Sequence, residues 1–64
     1  MLIDYVIELL GDGKWHYVRT LARKLGQPEE KIRDVLRFCA EFRIVTLDGT
    51  DKVKLDEAFK RLLA

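Results

Sequence analysis

The 64-residue chain contains no serine and no asparagine, and it has only one cysteine, one proline and one histidine. Without serine there is no serine nucleophile, and with Cys39 as the single cysteine no disulfide can form within the chain. We therefore expect a reducing compartment, the cytoplasm. No apolar run reaches the roughly 18 residues that a membrane-spanning helix needs. Because Asp4 and Glu8 also interrupt the apolar start, we expect neither a membrane segment nor a signal peptide.

Catalytic and metal-binding chemistry has little support in the sequence. Cys39 and His16 fall on separate predicted elements, and Cys39 lies within an apolar stripe, where it is expected to be a buried small hydrophobe. His16 has no Cys, His or acid at metal-ligand spacing, so it is interpreted as a surface strand residue. Gly11-Asp12-Gly13 is a turn and not a glycine-rich phosphate loop. We expect a protein that is not an enzyme and that uses no cofactor and no metal.

Charge is distributed unevenly along the chain, although the net charge is only +1. With 48% hydrophobic and 36% charged residues, the composition is that of one soluble domain over residues 1–64. Residues 1–12 carry three acids and no base, residues 13–28 carry four bases and no acid, and residues 29–64 balance at zero. The basic character is therefore local to one segment. The absence of serine and asparagine, with many Lys, Arg and Glu residues, is compatible with a thermophilic source.

Apolar residues at helical spacing predict three helices in the first two thirds of the chain. The first covers residues 2–10 and ends at Gly11, in the position of a left-handed C-terminal residue. The second covers residues 18–25 and ends at Gly26. The third covers about residues 28–42, with Pro28 at its first position and acids in its first turn. Its predicted buried stripe consists of Ile32, Val35, Leu36, Cys39 and Phe42.

The remaining segments predict strands and a last short helix. Residues 14–17 favour an extended segment, in which Trp15 and Tyr17 are expected to pack in the core or on the sheet rather than to stack on bases. Residues 44–47 and 52–55 are rich in β-branched and alternating residues, and the turn at residues 48–51 joins them into a β-hairpin. Asp56 is a good N-cap for a final helix. The apolar face of that helix is expected to contain Phe59, Leu62 and Leu63.

This order of elements resembles the winged helix-turn-helix family. The segments that carry the resemblance are GDGKWH, VRTLARKLG, PEEKIRDVLRF and IVTLDGTDKVKL, which together cover nearly the whole chain. The chain is most similar to small stand-alone winged-helix DNA-binding proteins of prokaryotes, especially archaea. The resemblance implies an α+β fold, mainly α, with a three-helix core, a short strand plus a β-hairpin wing, and a short C-terminal helix.

The resemblance also implies a surface for double-stranded DNA and a role in transcription regulation. The third helix would enter the major groove, and the second helix and the wing would contact phosphates. The third helix and the turn before it would present Gln27, Lys31, Arg33, Asp34 and Arg37. The second helix would present Arg19, Thr20, Arg23 and Lys24, and the wing would present Lys52 and Lys54.

A second interpretation of the same surface is a solvated helix face in a protein-interaction module. The third helix carries Glu30, Asp34 and Glu41 beside its two arginines, and the wing tip, residues 48–51, contains two acids and no base. The expected ion pairs on that face are Glu30–Arg33 and Arg37–Glu41, each worth about 0.2–0.5 kcal/mol. RNA binding through the second helix is a third option, but the sequence suggests no aromatic platform for it.

Two further expectations concern protein contacts. Apolar residues near both chain ends suggest a homodimer through Tyr5, Leu9, Leu62 and Leu63. Phe38 lies at the edge of the third helix's apolar stripe, where it would either cover the hairpin or contact a partner.

Overall fold

Four α-helices and a three-stranded antiparallel sheet make up the computed structural model, which describes residues 1–63. The elements in chain order are α1 (Leu2–Leu9), a 3-10 turn (Leu10–Asp12), β1 (His16–Tyr17), α2 (Val18–Leu25), α3 (Glu29–Glu41), β2 (Val45–Leu47), β3 (Lys52–Leu55) and α4 (Glu57–Leu63). The predicted α+β class, mainly helical, is confirmed.

Two glycines adopt left-handed backbone conformations, Gly26 at the end of α2 and Gly13 at the end of the 3-10 turn that follows α1. Gly26 has φ of 64°, and the N–H of Gln27 donates to the carbonyl of Ala22 at 2.9 Å, so α2 ends where the sequence predicts. After α1, which ends at Leu9 and not at residue 10, the predicted left-handed residue is wrong by two positions. Gly11 lies inside the 3-10 turn, and Gly13, with φ of 73°, is the left-handed residue. The tighter 3-10 turn continues past Gly11, so the chain reverses direction only at Gly13.

The boundaries of α3 differ slightly from the prediction at both ends. Pro28, with φ of −61° and ψ of 142°, is the N-cap and not the first helical residue, and its carbonyl accepts the N–H of Ile32. At the other end the backbone turns left-handed at Arg43, with φ of 57°. The N–H of Ile44 donates to the carbonyl of Cys39 at 2.9 Å across this turn. A residue with a Cβ therefore occupies a position that usually favours glycine.

The sheet has the order β1-β3-β2, with β3 in the centre. Val53 and Leu55 of β3 are buried, and the alternating Lys52 and Lys54 point to the opposite, outer face. The predicted hairpin is confirmed over residues 45–47 and 52–55. Asp56 caps α4 as predicted, because its carboxylate accepts the N–H of Ala58 at 2.9 Å.

One apolar core lies between the helices and the inner face of the sheet. Its buried members are Val6, Leu10, Val18, Leu21, Ala22, Ile32, Leu36, Cys39, Val45, Val53 and Leu55. Phe42 is wrongly predicted to be buried: it is 64% exposed, because α3 ends at Glu41 and the Phe42 ring lies outside the Ile32–Leu36–Cys39 stripe. Val35 is only partly buried. No helix within residues 1–63 is long and apolar enough to cross a membrane.

Candidate nucleic-acid interface

The exposed side of α2 carries a concentrated positive charge. Val18, Leu21 and Ala22 face the core, so Arg19 and Arg23, one turn apart, point to solvent together. Lys24 is exposed beside them. Within residues 1–63, none of these three cations forms an ion pair. Thr20 and Gln27, also predicted as DNA contacts, are only partly exposed at the edges of this surface.

The two arginines of α3 are engaged by acids. Arg33 donates to the carboxylate of Asp51 at 2.7 Å and to that of Glu29 at 3.3 Å. Arg37 donates to Asp34 at 3.0 Å. The predicted pairs Glu30–Arg33 and Arg37–Glu41 are therefore wrong. Arg33 prefers Asp51 because the wing folds back beside α3 and brings an acid from 18 residues away.

The centre of the outer face of α3 is acidic. At 100° per residue, Glu30, Asp34 and Glu41 lie opposite the buried stripe of Ile32 and Leu36. All three acids are exposed. A phosphate backbone brought against this face would meet these acids before it met a free cation, so α3 is a poor source of general attraction for DNA.

The predicted α3 contacts also divide between two sides of the helix. Arg33 and Arg37 line a cleft against the wing, together with Val18, Leu47 and Thr50. Lys31 and Asp34 line a different, apolar groove on the side of α1. The structure thus brings Arg33 and Arg37 together but separates them from Lys31.

The two acids of the wing tip have structural roles. The Asp48 carboxylate accepts hydrogen bonds from the backbone N–H groups of Thr50, at 2.8 Å, and Lys52, at 3.2 Å, and from the Thr50 hydroxyl at 2.7 Å. The Thr50 hydroxyl and these N–H groups lower the pKa of Asp48. Asp51 is bound to Arg33, and this hydrogen bond raises the pKa of the Arg33 guanidinium. The acidic tip therefore stabilises the turn and fixes the wing to α3.

The outer face of the sheet combines two aromatic rings with cations. The Lys54 ammonium lies 4.9 Å from the centroid of the Trp15 ring, and the Tyr17 ring is approached by Lys52 at 5.4 Å and by Arg19 at 5.6 Å. Trp15 is 44% exposed and Tyr17 is 47% exposed, so of the two predicted environments, the core and the sheet, the core is ruled out. They pack on the sheet, but on its solvent side, because the β1–β3 register aligns them with the two lysines of β3.

Tyr17 joins the positive surface of α2 to that of the wing. Its ring is contacted by a cation from α2, Arg19, and by a cation from β3, Lys52. We call the five cations Arg19, Arg23, Lys24, Lys52 and Lys54 the basic surface. The spacing of the two lysines within β3 could be predicted from the sequence, but their continuity with α2 depends on the pairing of β1 with β3.

His16 and Cys39 have structural environments. His16 is largely buried, and its Nε2 lies 2.9 Å from the Asp12 carboxylate, so it is less exposed than a surface strand residue. That hydrogen bond, with the N–H of Lys14, lowers the pKa of Asp12. Cys39 is fully buried, as predicted, and burial raises the pKa of its thiol. Residues 1–63 contain no group of three or more His, Cys, Asp or Glu side chains that could hold a metal ion.

An apolar groove lies between the start of α1 and α3. It is lined by Met1, Leu2, Ile3, Lys31, Asp34, Val35 and Phe38. Phe38 is 51% exposed, and its ring centroid is 4.9 Å from that of Phe42. Phe38 therefore faces this groove and does not cover the hairpin. Of the four residues predicted for a dimer, Tyr5, Leu62 and Leu63 are exposed, whereas Leu9 packs against the core.

No protein-family model, no curated protein and no solved structure matches this chain.

Proposed function

We propose that this protein is a winged-helix DNA-binding protein of the cytoplasm that acts as a transcription regulator. It binds double-stranded DNA through phosphate contacts from the basic surface, with the hairpin as the wing. The observation that carries this proposal is the absence of ion pairs on Arg19, Arg23 and Lys24 within residues 1–63, in a sequence segment that contains no acid. Unpaired cations on one surface are the usual electrostatic footprint of nucleic-acid binding.

Helix α3 contributes less than the basic surface to affinity for DNA, but it contributes more to any preference for base sequence. Its arginines must exchange Asp51, Glu29 and Asp34 for DNA groups, which reduces their net gain from binding. A carboxylate such as Asp34 at the major groove accepts a hydrogen bond from cytosine N4. We therefore expect strong dependence on salt and modest dependence on base sequence.

Charge reversal of one cation on the basic surface tests this proposal. We expect Arg23→Glu to weaken binding to a random-sequence duplex by at least about tenfold, because it replaces an attraction to phosphate with a repulsion. Fluorescence anisotropy of a labelled duplex measures the change.

The matched control is Arg61→Glu, which changes the net charge equally at a residue of α4 that is not one of the five cations of the basic surface. Under the proposal it retains most of the wild-type affinity. Equal losses for the two variants would show that net charge, and not this surface, governs association, and the proposal would fail.

A second candidate function is a protein-interaction module, and the apolar groove favours it. Exposed apolar groups that gather in one groove are typical of interaction sites. The occupant that we propose for this candidate is a second copy of the chain. Lys31 and Asp34 both line the groove, so an antiparallel second copy would place each opposite its counterpart of the other sign.

Sedimentation equilibrium tests the second candidate. It predicts a dimer at tens of micromolar that Phe38→Asp converts to monomer, because the variant introduces a charge into the apolar contact. Leu62→Asp is the control for the α4 end, where the sequence also suggested a contact. A wild-type protein that is monomeric over this range contradicts the dimer.

A further inference from the structure

The solvent face of the sheet is a second candidate binding surface, which adjoins the exposed face of α2 at Tyr17 and shares Lys52 and Lys54 with the basic surface. We propose that it binds single-stranded nucleic acid, with Trp15 and Tyr17 as stacking positions for unpaired bases and with Lys52 and Lys54 as phosphate contacts. This inference goes beyond duplex binding, because it assigns a ligand to two rings that phosphate contacts do not need. We call the four residues Trp15, Tyr17, Lys52 and Lys54 the sheet surface.

The backbone register places the four side chains on one face. Tyr17 is paired with Lys52 and His16 with the buried Val53, so the residue before His16 continues the alternation toward Lys54. The Trp15 ring is accordingly beneath the Lys54 ammonium, at 4.9 Å. Trp15 and Tyr17 are two residues apart in an extended segment, which separates them by about 6.6 Å along the strand direction. This arrangement offers two neighbouring stacking positions on one platform.

The cations over the rings complete the site and do not block it. A lysine over an exposed ring makes a weak contact, whereas stacking of a base on an aromatic side chain is stronger. A bound base therefore displaces the ammonium group from the ring face. The displaced Lys52 or Lys54 is then within reach of the phosphate of the same nucleotide, and one ligand satisfies both the ring and the cation.

Charge on this face is compatible with a polyanion. Among residues 1–63, the single ion pair that involves Lys52 or Lys54 is a weak one, between Lys54 and Glu57 at 3.9 Å. Thr46, paired with Lys54 on the neighbouring strand, adds an uncharged polar group. Asp51, the acid next to Lys52 in sequence, is bound to Arg33 beside α3.

The chemistry of the rings selects unpaired bases. In a duplex the faces of the bases are covered by their neighbours, so a flat aromatic side chain has access to them only in single strands and loops. Sheet surfaces that carry exposed aromatic residues and flanking cations bind single strands by this means. The sheet surface is thus the aromatic platform that the sequence did not reveal.

Trp15 is the only tryptophan in the chain, so its fluorescence reports directly on the site. We expect an oligothymidylate of about ten nucleotides, a length within the usual site size, to quench this fluorescence on titration at about 50 mM salt. An oligomer of the same length with abasic sugars supplies the same phosphates without bases. It should leave the fluorescence nearly unchanged. Equal quenching by the two oligomers, or no quenching by oligothymidylate, overturns the proposal.

Substitution of the second ring tests the same proposal without removing the reporter. Tyr17→Leu keeps an apolar contact with the sheet but cannot stack, so we expect about tenfold weaker binding of oligothymidylate. Lys54→Glu, two residues along β3 from the Tyr17 partner Lys52, should weaken binding as well. Circular dichroism confirms that each variant folds. If both folded variants bind oligothymidylate with wild-type affinity, the sheet surface is not the site.

The duplex assay separates this inference from the proposed function. The cations that contact the two rings within residues 1–63 are Arg19, Lys52 and Lys54 and do not include Arg23, so Arg23→Glu should impair duplex binding and largely spare the quenching by oligothymidylate. Tyr17→Leu should have the opposite pattern. If the wild-type protein does not bind the duplex but its fluorescence is quenched by oligothymidylate, the proposed function is refuted and the sheet surface is supported.

Discussion

Arg43 holds a left-handed backbone, with φ of 57°, at the end of α3. For a residue with a Cβ this conformation costs about 1–2 kcal/mol, and glycine avoids most of that cost while losing about 0.5–1 kcal/mol in chain entropy. The balance predicts that Arg43→Gly raises the free energy of unfolding by about 0.5–1 kcal/mol. Urea denaturation measures it. Arg43→Ala keeps the Cβ and should give no such gain, so equal effects of the two substitutions would contradict the backbone explanation.

Asp48 makes the hairpin sensitive to acid. Its pKa is lower in the folded protein than the ordinary 3.8, because the Thr50 hydroxyl and two backbone N–H groups donate to its carboxylate. Stability from this group is therefore fully present above pH 3.8 and is lost as the pH falls through the folded-state pKa.

The corresponding prediction compares wild type with Asp48→Asn in acid. The variant keeps an acceptor oxygen but does not titrate, so its free energy of unfolding should fall less steeply below pH about 4 than that of the wild type. Thermal unfolding followed at several pH values measures the two slopes. The pKa of Asp12 is also lowered, mainly by His16. Asp12 therefore changes stability with pH in the same direction in both proteins, and its effect cancels in the comparison. Parallel curves would mean that the Asp48 charge does not stabilise the turn.

At the scale of elements, the ion pair between Arg33 and Asp51 links α3 to the wing. Both side chains are partly solvated, so the pair adds little to stability. If the protein binds DNA as proposed, the ion pair has its larger effect on that binding, because Asp51 engages an arginine that could contact phosphate. Asp51→Ala is therefore expected to tighten duplex binding by about threefold to tenfold while lowering stability slightly.

The control for this substitution is Glu8→Ala, which removes an exposed acid from α1, outside the basic surface. Anisotropy titrations of the two variants at one salt concentration separate the local effect from the change in net charge. If Glu8→Ala tightens binding as much as Asp51→Ala does, Arg33 has no specific part in the complex.

Elements with strong local signals could be predicted from the sequence. The spacing of Val18, Leu21 and Leu25 determines α2, and Gly26 ends it, because both depend on neighbours within a turn or two. The hairpin follows from its β-branched strands for the same reason. The chain reversal at Gly13 was not predictable, since the choice between Gly11 and Gly13 as the left-handed residue depends on how the 3-10 turn packs Leu10 into the core.

The candidate site was less predictable, since it depends on contacts between elements that are distant in sequence. The residues of the basic surface could be predicted from their charge and from the alternation of residues in β3. The ion-pair partners of Arg33 and Arg37 could not be predicted. Several acids lie at helical spacings from Arg33, so the sequence does not determine which of them pairs with it. The fold also brings Asp51 of the hairpin to Arg33. The exposure of Trp15 and Tyr17 likewise follows from the pairing of β1 with β3, which no local pattern determines.

For the whole molecule, the net charge of +1 hides a strong asymmetry. The acids of residues 1–12 lie on α1 and the turn that follows it, and the cations of the basic surface lie on α2 and the outer side of the sheet. Such an asymmetry orients the protein toward a polyanion even though the total charge is small. Duplex and single-stranded ligands would share Lys52 and Lys54, so we expect the two ligands to compete for the protein.

The salt dependence of duplex binding tests the central proposal most directly. Each phosphate neutralised on B-DNA contributes about −0.9 to the slope of log association constant against log salt. Contacts from most of the five cations of the basic surface therefore predict a slope between about −3 and −4.5, reduced by about 1 in Arg23→Ala. A slope shallower than about −1, or no association at about 50 mM salt, would contradict DNA binding through this surface.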